Sequence, residues 1–229
     1  MLGNVQPTEF DLRFSLFGIP VRVTPMFWLG SVILGWNAMD WGGPPFLLMW
    51  VLVCFVSILV HEMGHALVAR WMGCHHVETA LYLMGGVATF QPGRNHTQGM
   101  SILISLAGPG AGFILWGLME FVFAGPILRF SMLKLDQSTT ELIYFGIQQW
   151  LYINLWWGLV NLLPVLPLDG GQVCRSVCLS MSPYRGENTA RSISIALAGM
   201  VAFYFLTNGQ TRNGGLFLYL AVMNFQAGR

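Results

Sequence analysis

Long apolar segments separated by short polar links dominate the chain. Six such segments can be recognised, at about 25–39, 46–72, 98–124, 142–166, 190–207 and 214–226. A helix of about 20 apolar residues is long enough to cross the hydrocarbon core of a bilayer. The last segment is short for a full crossing. The pattern predicts an α-helical integral membrane protein with about six transmembrane helices.

Two shorter stretches have the alternating pattern of β-strands. Residues 10–24 alternate polar and apolar positions on both sides of a Gly-Ile-Pro turn, which predicts a β-hairpin within the segment 1–24. Residues 77–91 predict a second β element, broken at Gly85 and Gly86. We expect both elements to lie at the cytoplasmic membrane interface.

Composition agrees with a membrane protein and excludes other classes. Hydrophobic residues make up 55% of the chain and charged residues 9%, against about 25% charged residues in soluble domains. The net charge of +1 and the absence of any lysine or arginine run exclude a nucleic-acid partner. Four cysteines are too few and too poorly spaced for a disulfide framework. No internal repeat is visible, so the pattern predicts a single domain over residues 1–229.

The distribution of basic residues predicts an orientation if all six segments cross the bilayer. One face then carries eight basic residues: Arg13, Arg22, Arg70, Arg94, Arg175, Arg185, Arg191 and Arg229. The other face carries three: Arg129, Lys134 and Arg212. Because basic residues favour the cytoplasmic side, we expect both termini to be cytoplasmic in a multi-pass protein of a prokaryotic inner membrane.

The second apolar segment contains the motif His61-Glu62-Met63-Gly64-His65. Positions i and i+4 share one face of a helix, so both imidazoles can bind one metal ion while Glu62 handles a proton. No charged residue precedes Glu62 in this segment. At 1.5 Å per residue the motif lies roughly 15 Å from the cytoplasmic end of the helix. The sequence therefore predicts metal chemistry within a membrane.

A catalytic zinc site usually has three protein ligands and one open position, so two histidines leave it incomplete. Asp169 is the candidate third ligand because it follows the fourth apolar segment, on the same predicted face of the membrane. Pro164 and Pro167 break the helix, and Gly170-Gly171 permits a sharp turn. Such backbone occurs at membrane depth only where protein buries it or where it lines a wet cavity. Capping of a helix is the alternative role for Asp169.

These residues resemble the site-2 protease family of intramembrane metalloproteases. The motif HExxH matches His61 to His65, and the family motif Asn-x-x-Pro-x-x-x-x-Asp-Gly matches Asn161 and Asp169 with their fixed neighbours. The family often has Gly-Pro-x-x-Asn in its third span, but Gly112 replaces that asparagine here. We find neither a PDZ insertion nor a nucleotide-sensing domain in this sequence.

The resemblance implies a zinc endopeptidase that hydrolyses peptide bonds in or near transmembrane segments of membrane proteins, the process of regulated intramembrane proteolysis. It implies one Zn²⁺ per chain, held by His61, His65 and Asp169. Glu62 would accept the proton of the attacking water and return it to the leaving amine. Its partners would be a transmembrane protein substrate and the lipid bilayer; the pattern favours no particular oligomeric state.

The resemblance also implies residues that contact the substrate. Asn161 would orient the substrate or donate to the oxyanion, or else form an ordinary helix–helix hydrogen bond. The strand at Gly85 and Gly86 would pair with an unwound substrate. Two other functions remain open: a membrane metallohydrolase acting on a lipid or prenylated peptide, and a non-enzymatic metal transporter. A transporter would need further ionisable residues along several spans, which this chain lacks.

Overall fold

The protein is mostly helical in its computed structural model, which describes residues 8–83 and 85–228. The helices are α1 (Pro25–Leu34), α2 (Met39–Gly42), α3 (Pro44–Trp71), α4 (Gln98–Leu118), α5 (Ala124–Lys134), α6 (Gln137–Asn161), α7 (Asp169–Met181), α8 (Gly186–Thr207) and α9 (Thr211–Ala227). A turn of 3-10 helix, Trp36–Ala38, follows α1, and a π-helical turn, Met119–Phe123, joins α4 to α5.

Among the described residues, three helical stretches are long and apolar enough to cross a membrane. They are α3, the continuous stretch Gln98–Lys134 and α8. The predicted first segment forms only the ten-residue helix α1, and the predicted third segment continues beyond residue 124 through α5. A helical membrane protein with a small sheet is confirmed. The prediction of six spans is not confirmed, because three stretches among the described residues meet this criterion.

Both predicted β elements exist, and they belong to one sheet. The strands β1 (Leu12–Leu16), β2 (Ile19–Val23), β3 (His75–Tyr82) and β4 (Gly85–Gln91) lie in the order β1-β2-β3-β4. The outer pairs are antiparallel, whereas β2 and β3 are parallel. The predicted break at Gly85 and Gly86 is displaced, because β3 ends at Tyr82 and both glycines lie in β4. Residues 1–7 of the predicted hairpin segment lie outside the described residues.

The hairpin follows the alternation in its sequence. Ile19, Val21 and Val23 are buried while the residues between them are not, as expected for a strand with one face on the core.

An ion pair links the start of the hairpin to strand β2, where Arg22 lies 3.1 Å from Asp11. Hydrogen bonds from the hydroxyl and amide of Thr8, together with Arg22, lower the pKa of Asp11 to about 2.

The described residues form two compact units. One includes the described parts of 1–94 and 110–158, and the other includes 95–109 and the described part of 159–229. In the first, the sheet packs on α3 around a shared core of Ile19, Val21, Val23, Phe27, Val53, Cys54, Ile58, Leu59, Met63, Ala66, Leu81 and Ile153. In the second, α7, α8 and α9 pack around Val165, Ala198, Ala202, Phe217, Leu220 and Ala221.

Candidate metal centre

The two histidines of the HExxH motif face each other on α3. Their Nε2 atoms are 3.2 Å apart, and their ring planes meet at 78°. Two nitrogens that bind one zinc ion tetrahedrally at about 2.0–2.1 Å lie about 3.3 Å apart. Both side chains are buried, with exposed fractions of 4% for His61 and 7% for His65. The spacing of the pair therefore suits a single zinc ion.

Asp169 is the first residue of α7 and is half-buried. One ligand atom from each of His61, His65 and Asp169 can be chosen so that all three lie within 4.8 Å of one another. Two imidazoles and one carboxylate are a donor set that catalytic zinc sites use, with a fourth position left open. These residues could hold a zinc ion. Within residues 8–83 and 85–228, no other three His, Cys, Asp or Glu side chains converge in this way.

The first turn of α7 packs tightly on the loop that precedes it. A Cβ at Gly170 would overlap the carbonyl oxygen of Leu162 and lie 2.6 Å from that of Leu163. A Cβ at Gly171 would lie 2.5 Å from the amide nitrogen of Leu166. Real Cβ atoms almost never approach other atoms so closely, so the helix can begin here only with glycines. The two glycines therefore fix where α7 packs on the loop, and Asp169 is the first residue of this helix.

Glu62 lies directly beside strand β4. Its side chain is buried, with 7% exposed. A Cβ at Gly86 would overlap the Cγ of Glu62 and lie 2.7 Å from its Oε1. Glycine at position 86 therefore lets the strand backbone run past the carboxylate. Burial and the negative charge of Glu62 both raise the pKa of Tyr82, the last residue of β3, so this phenol stays protonated at neutral pH.

A small pocket beside His61 contains residues that the sequence analysis did not identify. Its lining residues are Ser57, His61, Gly112, Ile153, Asn154, Trp157 and Gly158. Asn154 is buried, and its Nδ2 donates to the hydroxyl of Ser57 and the carbonyl of Trp150, both at 2.9 Å. A Cβ at Gly112 would be 3.6 Å from the carbonyl oxygen of Asn154, an ordinary van der Waals contact.

The signal that could have identified Asn154 is its position in the sequence. It lies inside an apolar segment and seven residues before Asn161, hence on nearly the same helical face. Polar residues within such segments are candidates for function. Asn161 itself is the last residue of α6 and is buried.

Comparison with known proteins identifies relatives of this chain. The profile of Peptidase family M50 matches residues 49–130 and 123–206. A putative zinc metalloprotease, sll0528 of Synechocystis sp., is 33% identical over 71% of this chain and 42% of its own length. The putative zinc metalloprotease Rip3 of Mycobacterium tuberculosis is 32% identical over 70% of this chain and 39% of its own length. The chain thus spans about two fifths of these curated relatives.

A solved structure has the same fold. The site-2 protease from Methanocaldococcus jannaschii superposes with a TM-score of 0.62 and 24% sequence identity, over 96% of each chain.

The tight start of α7 gives a testable prediction. Gly170→Ala should lower the unfolding temperature and weaken zinc binding, because the new methyl group overlaps the loop backbone; overpacking of this kind typically costs about 1–3 kcal/mol. Gly199→Ala is the matched control in α8, because a Cβ there would meet no atom within 4 Å. Thermal unfolding and zinc content of the purified variants in detergent check this expectation. Equal behaviour of the two variants would contradict it.

Proposed function

The chain belongs to peptidase family M50, the site-2 protease family, and we propose that it is an intramembrane zinc metalloendopeptidase. The proposed substrates are membrane proteins cleaved in or near a transmembrane segment. The observation that carries this proposal is the convergence of His61, His65 and Asp169 to within 4.8 Å, beside the buried carboxylate of Glu62. Zinc metalloprotease relatives support it.

The proposed mechanism assigns each residue one task. His61, His65 and Asp169 hold the ion. A bound zinc ion supplies Lewis-acid activation of water and of the scissile carbonyl. The Glu62 carboxylate accepts a proton from the attacking water and returns it to the amine that leaves. Burial of Glu62 favours this transfer, because bulk water has little access to its carboxylate.

Strand β4 is the proposed binding element for the substrate. It is the last strand in the sheet order, with β3 on one side, and an extended peptide can add to the free edge of a sheet through main-chain hydrogen bonds. A helical peptide bond is shielded by its own hydrogen bonds, so the substrate must unwind before hydrolysis. The approach of Gly86 to Glu62 places this strand next to the proposed base. We therefore assign Gly85 and Gly86 to substrate binding.

Asn161 is proposed to orient the substrate or to donate to the oxyanion. Its burial at the end of α6 is consistent with a side chain that requires a polar partner.

We further propose one catalytic membrane domain with six spans, in which α1, α6 and α9 also cross or enter the bilayer. The termini are then cytoplasmic, in a prokaryotic inner membrane. Relatives named as zinc metalloproteases do not favour the alternatives, a hydrolase of lipids or prenylated peptides and a metal transporter.

The base assignment predicts the behaviour of Glu62→Gln. The amide has nearly the same shape as the carboxylate but cannot accept the proton, so cleavage of reconstituted single-span membrane proteins should fall by about 100-fold or more. Zinc content should stay at the wild-type level. Glu141→Gln, on the exposed surface of α6, should leave both quantities unchanged. Retained cleavage by Glu62→Gln would disprove the assignment.

The ligand assignment predicts the behaviour of Asp169→Ala. Loss of the carboxylate should reduce zinc far below one ion per chain, since two imidazoles alone hold the ion weakly. Asp40→Ala removes an exposed carboxylate from α2 and is the control. Elemental analysis of protein purified without added metal checks the prediction. Wild-type zinc content in Asp169→Ala would remove this residue from the ligand set.

The proposed topology predicts which exposed sites a membrane-impermeant thiol reagent reaches. In a variant that lacks the native cysteines, Tyr184→Cys should react only after the membrane is opened, because residue 184 is assigned to the cytoplasm. Gln137→Cys should react in intact cells. Both side chains are exposed. The opposite labelling pattern would reverse the orientation, and labelling of both from outside would refute six spans.

A further inference from the structure

The loop 162–168 between α6 and α7 needs partners for its backbone. Pro164 and Pro167 have no amide hydrogen, and the helical hydrogen-bond pattern stops at Asn161. Leu166 lies between the two prolines and is buried, with 9% exposed. A buried amide or carbonyl without a partner costs about 1–3 kcal/mol. Both polar groups of the Leu166 backbone therefore require hydrogen bonds from elsewhere in the fold.

Two buried side chains provide these hydrogen bonds. The amide of Leu166 donates to the hydroxyl of Ser194 on α8 at 3.0 Å. Its carbonyl accepts a hydrogen bond from Nδ2 of Asn224 on α9 at 2.6 Å. Ser194 and Asn224 have exposed fractions of 1% and 4%. The same backbone position is thus held from both sides by polar groups of two different helices.

Both side chains are themselves fixed. The Ser194 hydroxyl donates to the carbonyl of Ala190, and Nδ2 of Asn224 also donates to that of Leu220, each at 2.9 Å and one turn back on its own helix. These additional bonds leave little rotational freedom for either group. A rigid donor and a rigid acceptor restrict the backbone between them more than flexible side chains would.

The position of Leu166 determines the position of Asp169. Only Pro167 and Leu168 separate the two residues, and the ring of Pro167 fixes one of the few backbone dihedrals between them. The amide of Leu168 is also bound, to the carbonyl of Val165 at 2.9 Å. A Cβ at Gly171 would lie 2.5 Å from the amide nitrogen of Leu166, so the first turn of α7 packs directly on this residue.

We propose that Ser194 and Asn224 are positioning residues that hold the Leu166 backbone and thereby set Asp169 in place to bind zinc. This inference rests on the proposed function, because it assumes that Asp169 is a zinc ligand. It extends that function to α9, since Asn224 lies beyond residue 206, where the family match ends. Groups that orient a metal ligand from behind typically change metal affinity 10- to 100-fold when they are lost.

The chain contains matched controls for each substitution. Ser180 donates to the carbonyl of Ser176, and Asn208 donates to that of Tyr204, one turn back on its own helix in each case. Among the described residues neither control side chain bonds to the loop. Ser180→Ala and Asn208→Leu therefore remove the local hydrogen bond alone, while Ser194→Ala and Asn224→Leu also release Leu166.

Zinc affinity, measured by competition with a chelator on purified protein in detergent, tests the proposal. Ser194→Ala and Asn224→Leu should each bind zinc about 10-fold or more weakly than wild type. Ser194→Thr retains the hydroxyl and should restore wild-type affinity. The controls should stay within about twofold of wild type, a range that hydrogen bonds away from the ligands should not exceed. The double variant should lose less than the sum of the single losses, because both groups hold the backbone of one residue.

The outcomes separate this inference from the proposed function. If the wild-type protein binds zinc and Ser194→Ala binds it equally tightly, the positioning role is overturned and the protease proposal stands. Loss of affinity to the same extent in Ser180→Ala or Asn208→Leu would overturn it as well, by showing a general effect of helix stability. Absence of zinc binding by the wild-type protein would overturn both. Should Asn224→Leu fail to fold, the comparison of Ser194→Ala with Ser194→Thr decides the question.

Discussion

Two imidazole nitrogens held 3.2 Å apart inside an apolar helix are the constraint on which the site depends. At this distance the two nitrogens either form one hydrogen bond, in which one neutral ring donates through its Nε2–H, or bind one metal ion together. A zinc ion brings positive charge into a region of low dielectric constant, and a carboxylate ligand reduces that net charge. The third ligand follows from this requirement.

The second constraint comes from the backbone that carries Asp169. Asp169 follows an irregular loop at the start of α7, and a helix that stops in an apolar environment exposes polar groups. Prolines remove some of those groups, and Ser194 and Asn224 bind the amide and carbonyl of Leu166 that remain. Glycines allow α7 to begin against this loop. Within the first unit a glycine again permits a close approach, because Gly86 allows strand β4 to pass Glu62.

The local parts of this arrangement could be predicted from the sequence. The helical period places His61 and His65 on one face, and alternation marks the hairpin of β1 and β2. The long-range parts could not be predicted. The parallel pairing of Val21 with Thr79 joins strands more than 50 residues apart, and neither strand's pattern specifies its neighbour. Nothing near Asn224 in sequence indicates a partner 58 residues away. Segment 142–166 predicted a span, but its polar residues, such as Asn154, keep α6 outside the set of clearly apolar helices.

X-ray absorption spectroscopy at the zinc edge of the purified wild-type protein tests the central claim most directly. A site built from His61, His65 and Asp169 predicts two imidazole nitrogens at about 2.0–2.1 Å, with oxygen atoms in the remaining positions and no sulfur. Zinc–sulfur scattering at about 2.3 Å would contradict the account, because it would place the ion on cysteines instead. Protein that binds no zinc under any loading condition would contradict it as well.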